Sequence, residues 1–460
     1  MRIRSLCLLF TLGIVLVLPG AGRAETFYAY LSAAQEVPTN ASTATGYARV
    51  FINETTGQLA FTVVYNGLTS AQNNSHIHAP AAIGASAAVA INFGISGGTS
   101  GTVSGVTTCT PTQLAQIRQH LGYVNVHSVN FPAGEIRGQL GIKRPVDFDG
   151  DGRQDMSVLK FPSIAPPGIA PITYWTANTT AGVLAVEWGD ANTDFPAPGD
   201  YDGDGKDDYS LFRSGTTAGS QDAFWIYRTG TNTVQYYAWG IQGDQAVARD
   251  YDGDGITDVA VVRRGAVATD QLRWFIRNSA TGTARVEGFG LSGTPTTNNS
   301  GDYPIPGDYD GDGKFDLAVY RAVLTPTNYF IINRSSDSVI TYSPFGNFTT
   351  DYILPGDYDG DGKYDLAVGR TGATSTSPMV WWIVQSSTGT IRVQPFGISS
   401  DLPAQGDYDG DARADIAVYR RGATATAQSF FWVSRSFDGI ATVTPWGLGA
   451  DFAVNTFDAR

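Results

Sequence analysis

Apolar and polar residues alternate along most of the chain in short runs that end at Gly, Asn, Asp or Pro. Such runs are typical of β-strands joined by tight turns. Between residues 25 and 140, strand patterns cover 27–31, 46–52, 59–65, 76–78, 89–93, 103–107, 123–127 and 135–140. One helix interrupts them, with Thr110 as the predicted N-cap, Pro111 in the first turn and Gln113 completing a capping box. An immunoglobulin-like β-sandwich of about 115 residues is the expected fold.

From residue 147 onward, one nine-residue pattern recurs six times. It reads Asp-[Phe/Tyr]-Asp-Gly-Asp-Gly-x-x-Asp and is repeated at steps of 53, 50, 58, 49 and 50 residues. We call each copy an Asp loop and number its positions 1 to 9; in the last copy Ala412 replaces the second Gly. An apolar strand, an aromatic strand, a strand ending in Trp-Gly or Phe-Gly and a fourth segment follow each loop. Four strands in about 50 residues predict an all-β region of six propeller blades, with a seventh, degenerate blade as the alternative.

Other features recur with the blades. The segment 451–458 repeats the fourth segment and is predicted to close the ring against the first blade. The aromatic strands are expected to form the core between blades. A basic residue also stands 13 positions after the first Asp of each loop and is expected to pair with an acid at the blade edge: Lys160, Arg213, Arg263, Arg321, Arg370 and Arg420.

The Asp loops have the chemistry of a calcium site. Acids at positions 1, 3, 5 and 9 and the carbonyl at position 7 supply hard oxygen ligands, which favour Ca²⁺ over Mg²⁺. The closing acid stands at position 9 rather than 12, and a strand follows, so the loop is not an EF-hand. The alternative is a set of Asp-Gly turns, whose carboxylates would repel each other without a cation. The predicted calcium ligands are Asp147, Asp149, Asp151, Arg153, Asp155; Asp200, Asp202, Asp204, Lys206, Asp208; Asp250, Asp252, Asp254, Ile256, Asp258; Asp308, Asp310, Asp312, Lys314, Asp316; Asp357, Asp359, Asp361, Lys363, Asp365; and Asp407, Asp409, Asp411, Arg413, Asp415.

The start of the chain and its charge indicate an exported protein. Arg2 and Arg4 precede an apolar run over 6–18 and a small-residue cleavage site, so residues 1–24 are predicted to be a signal peptide. Removing them leaves Cys109 as the single cysteine, so no internal disulfide is expected. The net charge of −13 becomes −16 without Arg2, Arg4 and Arg23. This charge argues against nucleic acid as a partner and suits cations; six Ca²⁺ would bring it to −4.

Two family resemblances follow from these motifs. Residues 147–460 resemble the FG-GAP/VCBS propeller repeats found in integrin α-chains and in bacterial exported proteins, which implies Ca²⁺ at each matching loop. Residues 25–140 are similar to the CHRD domain, on the strength of the segments 31–38, 76–80, 123–127 and 134–140. That resemblance implies an immunoglobulin-like sandwich, with a faint similarity to copper/zinc superoxide dismutases. Residues 141–146 are then a short linker, which is expected to hold the two domains close.

Three of the four histidines lie in the CHRD-like motifs. His76 and His78 share one face of their strand, and His127 shares a face with Asn125 on another. If those faces meet, the imidazoles could hold Zn²⁺ or Cu²⁺. The alternative is a polar outer face on which the histidines form hydrogen bonds and Glu135 pairs with Arg137. The fourth, His120, is expected to be solvated.

The leading functional hypothesis is an exported, non-catalytic protein whose calcium-stabilised propeller is an adhesion or ligand-binding platform. It would act outside the cell or at its surface, with the periplasm as the alternative. Its partner would be an extracellular protein or glycan. The enzymatic alternatives are redox chemistry at the histidine cluster and a hydrolase or lyase pocket on the propeller axis. Against both, the sequence has no Ser-His-Asp set, no H-E-x-x-H motif and no phosphate loop. A structural matrix protein is a third hypothesis.

Overall fold

A computed structural model describes residues 24–141, 145–161, 170–178, 182–293, 301–322 and 328–455. The predicted signal peptide, up to residue 23, and residues 142–144 of the predicted linker lie outside these ranges. Among the described residues, no helix is long and apolar enough to cross a membrane. The regular elements are almost all strands, as the alternation of apolar and polar positions predicts.

Residues 24–141 form one antiparallel sheet of eight strands that curls until it is nearly closed. Along the sheet the strands follow the order β5-β4-β7-β8-β1-β2-β3-β6. The strands are β1 (Ala24–Ser32), β2 (Thr45–Asn53), β3 (Gln58–Asn66), β4 (Gln72–His78), β5 (Val89–Asn92), β6 (Gly101–Thr108), β7 (Tyr123–Ser128) and β8 (Ile136–Gln139). Each predicted strand is present. The two halves of the expected sandwich are continuous, because β1 pairs with both β2 and β8.

The inner side of this sheet encloses one apolar core. Along β3, every second side chain is buried, and Leu59, Phe61 and Val63 all join that core. A short 3₁₀ helix, Ala33–Gln35, follows β1. The helix α1 (Pro111–Arg118) contributes Leu114 and Ile117 to the same core, and its predicted capping box is present.

The remaining described residues form six four-stranded antiparallel sheets, the blades of a propeller, which confirms the predicted number. In chain order the blade strands are β9 (Met156–Lys160), β10 (Pro171–Asn178), β11 (Gly182–Asp190); β12 (Asp194–Pro196), β13 (Tyr209–Arg213), β14 (Gln221–Arg228), β15 (Thr233–Ile241); β16 (Gln245–Ala246), β17 (Val259–Arg263), β18 (Gln271–Arg277), β19 (Ala284–Leu291); β20 (Asp302–Pro304), β21 (Leu317–Arg321), β22 (Tyr329–Asn333), β23 (Ile340–Pro344); β24 (Asp351–Ile353), β25 (Leu366–Arg370), β26 (Pro378–Val384), β27 (Ile391–Ile398); β28 (Leu402–Pro403), β29 (Ile416–Arg420), β30 (Gln428–Ser434), β31 (Ala441–Leu448); and β32 (Phe452–Ala453).

The ring is closed by the last strand of the chain. Strand β32 pairs with β9, so the C-terminal segment completes the first blade as predicted. Asn455 adds to this closure, because its side-chain amide donates to the carbonyl of Asp155 at 3.0 Å. Between neighbouring blades the packing is aromatic and aliphatic. Trp381, for example, is fully buried in one cluster with Val418 of the next blade.

Candidate metal sites

The six Asp loops share one hydrogen-bonded conformation. The first loop leads into β9, and each of the other five connects the first strand of its blade to the second. The position 1 carboxylate accepts the backbone N–H of position 4 at 2.6–2.7 Å and that of position 6 at 2.7–3.1 Å. The position 9 carboxylate accepts the N–H of position 2 at 2.8–3.0 Å. These contacts wind each loop around its own acids. Positive φ at positions 4 and 6 makes the turn possible.

Three of the predicted acidic ligands converge in each of the first four loops. In the first, second and fourth loops, carboxylate oxygens of positions 1, 3 and 9 lie within 4.8 Å of one another; in the third loop the converging acids are at positions 1, 3 and 5. Both side-chain oxygens of Asp252, at position 3 of the third loop, are buried without a hydrogen-bond partner. A carboxylate in that state has lost its water and gained no donor, which is costly unless a cation replaces them.

The electrostatics of the loops point the same way. Burial, followed by the charges of the neighbouring loop acids, raises the pKa of Asp250 and of Asp308 well above its usual value. The same two causes raise the pKa of Asp409 to about 9. Burial is also the main cause that raises the pKa of Asp258 and of Asp415 to about 7. The protein thus concentrates carboxylates where their ionised forms are unfavourable without a positive partner.

Two loops differ in detail from the others. In the first and last loops, the arginine at position 7 pairs with the position 5 acid, as Arg153 does with Asp151 at 3.0 Å. The substitution of Gly by Ala412 does not distort the last loop. Ala412 adopts φ 69° and donates its N–H to Asp407 at 2.9 Å, as the glycines do in the other loops.

The N-terminal domain lies against the Asp loops. Thr26 donates from its hydroxyl to the carbonyl of Asp254, at 3.3 Å, and Gln35 donates from its side chain to the carbonyl of Gly410 at 3.2 Å. The Arg153 guanidinium stacks over the Tyr30 ring, 3.9 Å from its centre.

His120 makes a further contact between the domains. Its Nδ1 lies 3.3 Å from Oδ2 of Asp357, the first acid of the fifth loop. His120 is 2% exposed, so the expectation that it is solvated is wrong. The turn after α1 directs this side chain towards the propeller, an orientation that helical periodicity alone does not reveal.

The three remaining histidines meet on the outer side of the N-terminal sheet. Strand β4 carries His76 and His78 and pairs with β7, which carries His127. The ring centre of His76 lies 4.7 Å from that of His78 and 4.5 Å from that of His127. One ring nitrogen of each histidine lies within 4.8 Å of a ring nitrogen of the other two. Burial lowers the pKa of all three, that of His76 to about 4. The expected convergence of these faces is therefore present.

The neighbours of this cluster differ from the predicted polar pair. Glu135 accepts hydrogen bonds from the Ser42 hydroxyl and the Thr69 N–H, both at 2.7 Å. Arg137 instead donates to the carbonyl of Ala85 at 2.8 Å and stacks over the Tyr123 ring at 3.6 Å. The two side chains have opposite charges but bind different partners.

Sequence reasoning missed the partners of the recurring basic residues. Each of the five arginines pairs with an aspartate 19 residues earlier, as Arg321 does with Asp302 through two bonds of 2.8 Å. The aspartate side chains are fully buried or nearly so. The sequence does contain a pattern that identifies these aspartates, because an Asp stands six positions before each of the last five loops: Asp194, Asp244, Asp302, Asp351 and Asp401. In the first blade, Lys160 lies over the Trp175 ring at 4.2 Å. Burial raises the pKa of Asp451 in the closing segment, and the positive charge of Lys160 opposes that rise.

The central channel has an apolar lining. Proline, alanine and valine predominate along it, and Arg249 is the one charged side chain among the described lining residues. At the end of the channel away from the loops lies a depression of about 690 Å³, which is lined by the first strands of the blades and by residues beside them. Phe195, Tyr303, Phe348 and Phe452 line this depression, which we call the open mouth.

Fold and loops together define a two-domain repeat protein, a nearly closed β-sheet joined to a six-bladed propeller with acidic loops. Family comparisons assign its parts. Residues 27–140 match the CHRD domain, 250–319 the FG-GAP-like repeat and 353–393 the FG-GAP repeat. The chain therefore carries a CHRD domain followed by FG-GAP repeats, as the sequence motifs predict. The matched repeats contain the third, fourth and fifth Asp loops. No protein of curated function matches the chain significantly.

Among solved structures, the chain is similar to the acylaminoacyl peptidase of Pyrococcus horikoshii, with 12% identity and a TM-score of 0.35, over 90% of this chain and 52% of the peptidase. It is also similar to a mutant apocarotenoid oxygenase of Synechocystis, with 8% identity and a TM-score of 0.33, over 71% of this chain and 82% of the oxygenase. The chain thus spans about half the length of the peptidase. Scores this low assign no function to it.

Proposed function

We propose that this is an exported, non-catalytic protein whose propeller is a calcium-stabilised platform for adhesion or ligand binding. The observation that carries the proposal is the sixfold repetition of one loop conformation that gathers buried carboxylates. Ca²⁺ accepts six to eight oxygen ligands in flexible geometry, and the loops offer carboxylates and a carbonyl in that range. Bound Ca²⁺ would neutralise the loops and stabilise the folded ring where no disulfide does.

The position of the CHRD domain leaves one face of the propeller for a partner. The domain covers the face that carries the Asp loops, where Thr26 and Gln35 bond to loop carbonyls. The opposite face presents the open mouth, at which Phe195 is 58% exposed and Phe452 37% exposed. Aromatic rings in a shallow depression offer apolar area for a sugar ring or a protein side chain. The ligand of the platform would therefore bind at the open mouth. The Asp loops would not touch the ligand and would act by stabilising the folded propeller.

The lining of the channel also bears on catalysis. A glycoside hydrolase needs a pair of carboxylates about 5–9.5 Å apart. The described lining residues of the channel and of the open mouth include Asp244 and Asp351, but each is held by an arginine, Arg263 and Arg370 respectively. This arrangement favours the platform over a hydrolase on the propeller axis.

A glycan array and a cell-binding assay, both in Ca²⁺ buffer, test the platform. We expect the purified protein to bind a subset of the glycans or cells, and the double variant Phe195→Ala/Phe452→Ala to lose that binding. The control is Tyr342→Ala, which removes an exposed aromatic residue of β23. No binding in either assay would favour the hypothesis of a structural matrix protein. Unchanged binding by the double variant would exclude the open mouth as the binding site.

A further inference from the structure

The CHRD domain contains a second cluster of potential metal ligands, chemically different from the Asp loops. Its members are His76, His78 and His127, and it uses no aspartate and no residue of the propeller. Strand pairing fixes its geometry. His76 stands opposite Asn125 in the register of β4 and β7, and a bulge between Gln72 and Asn74 precedes it. The rings project away from the apolar core, which receives Ile77 of the same strand.

Each of these histidines has one ring nitrogen that is buried and has no hydrogen-bond partner: His76 Nδ1, His78 Nε2 and His127 Nε2. The residues themselves are enclosed, since His76 is 5% and His127 8% exposed. Buried polar atoms in folded proteins are nearly always paired, and leaving one unpaired is costly. Three such atoms on neighbouring rings therefore indicate a shared partner.

The other nitrogen of two of these rings is anchored by a backbone carbonyl. His78 Nδ1 lies 2.8 Å from the carbonyl oxygen of Ala87, and His127 Nδ1 lies 3.0 Å from that of Pro132. Because a carbonyl can only accept, each Nδ1 carries the hydrogen, and each Nε2 presents a lone pair. Metal-bound histidines in proteins are oriented in the same way, because the ring nitrogen that does not bind the metal donates its hydrogen to a carbonyl or carboxylate.

Aromatic stacking holds His78 on its remaining side. Its ring lies parallel to that of Tyr123, with centres 4.7 Å apart and planes 7° apart. The Arg137 guanidinium also lies over the Tyr123 ring, 3.6 Å from its centre, and is itself buried. The ring that offers its Nε2 is therefore fixed before any ion arrives, which reduces the entropy lost on binding.

We propose that His76, His78 and His127 form a binding site for one divalent transition-metal ion, of the Zn²⁺ or Cu²⁺ class, in the CHRD domain. Imidazole nitrogen is a borderline ligand that suits these ions, whereas Ca²⁺ requires oxygen. Three imidazoles leave a coordination position for water or for another small ligand. The site is independent of the calcium in the propeller.

Metal titration of the full chain tests the site. The protein is stripped with chelator and then returned to excess Ca²⁺, so that the Asp loops are saturated. Co²⁺ is then added and followed by its visible absorption, and Zn²⁺ by competition against it. We expect one equivalent to bind, and the variants His78→Gln and His127→Gln to weaken that binding by more than about 100-fold. His120→Gln is the matched control and should retain one equivalent, because His120 lies at the propeller contact.

Two results would overturn the proposal. One is the absence of any transition-metal binding in excess Ca²⁺; the other is unchanged binding by His78→Gln and His127→Gln. Should these variants fail to fold, the wild-type protein still decides the matter through the imidazole nitrogen signals in an NMR spectrum. Added Zn²⁺ should shift the signals of three histidines and leave that of His120 in place. If none of the three shifts, the site does not exist, whatever the result for calcium.

Discussion

At the scale of single residues, the propeller depends on carboxylates that have lost their water and gained specific donors. Asp302 is a clear case. Its side chain is fully buried. It accepts two hydrogen bonds from Arg321 and a third from the N–H of Leu291 at 2.7 Å. A bidentate arginine is the donor best matched to such a carboxylate. The pair joins the first two strands of its blade and also holds the end of β19, the fourth strand of the preceding blade.

We expect Arg321→Ala to destabilise the protein by about 2 kcal/mol, because it leaves Asp302 buried with one donor. Partial exposure of the arginine keeps the cost below that of a fully buried pair. Urea denaturation measures the free energy of unfolding. The control is Arg334→Ala, which removes an exposed arginine paired with Asp337 and should change stability little. Equal effects of the two substitutions would show that burial of Asp302 does not matter.

The partner of each recurring arginine was only partly predictable from the sequence. The fixed offset of the arginines was visible and predicted an acidic partner, but not which one. The answer lay in a second fixed offset, the Asp six positions before each loop. Neither offset predicts that Asp302 is buried, because its burial depends on strands that are distant from it along the chain. Ala412 shows the converse, since its positive φ follows from the repeat alone.

At the scale of elements, the Asp loop is prearranged by backbone donors. The N–H groups of positions 2, 4 and 6 hold the carboxylates of positions 1 and 9, so these acids turn inward before any ion binds. In the fourth loop, the hydroxyl and N–H of Ser336 also approach the position 3 acid, Asp310, at 2.6 and 3.2 Å. A cation would complete this arrangement by neutralising the charges that the backbone has collected.

Substitution in one loop should therefore remove one calcium ion. We expect the wild-type protein to bind about six Ca²⁺, since each loop can supply one set of oxygen ligands. Asp310→Asn should lower that number by one and reduce the melting temperature in Ca²⁺ buffer. Calorimetric titration counts the ions, and a thermal scan gives the melting temperature.

The control is Asp337→Asn, which makes the same change of charge between β22 and β23 of the same blade, but on an exposed residue. It should keep the full number of ions. If the two variants bind equal numbers of Ca²⁺, Asp310 is not a ligand.

The strands themselves were largely predictable, because alternation is a local property. All eight strands of the N-terminal domain, the capping box of α1 and the closing segment were expected and are present. The continuity of the N-terminal sheet was not. It depends on the pairing of Ser32 with Arg137, about a hundred positions apart, and strand periodicity contains no information about such pairing.

At the scale of the whole molecule, the two domains meet on the face that carries the most concentrated charge. The contacts come from residues scattered through the CHRD sequence, among them Thr26, Tyr30 and His120, and each touches a different Asp loop. The short linker predicted closeness but not the face, since single surface residues give no pattern. Burying these carboxylates beneath the CHRD domain is favourable when cations neutralise them.

Calcium should therefore hold the domains together as well as the loops. Removing it leaves the 24 aspartates at positions 1, 3, 5 and 9 of the loops to repel one another. We expect chelation to loosen the loops, release the contacts of Thr26 and Gln35, and increase the radius of gyration measured by small-angle X-ray scattering. Returned Ca²⁺ should restore the compact profile, whereas Mg²⁺ should do so poorly, because it keeps its water and demands octahedral geometry. Raised ionic strength should reduce the expansion by screening the carboxylates. A scattering profile that chelation leaves unchanged would mean that the domain contact forms without the ions.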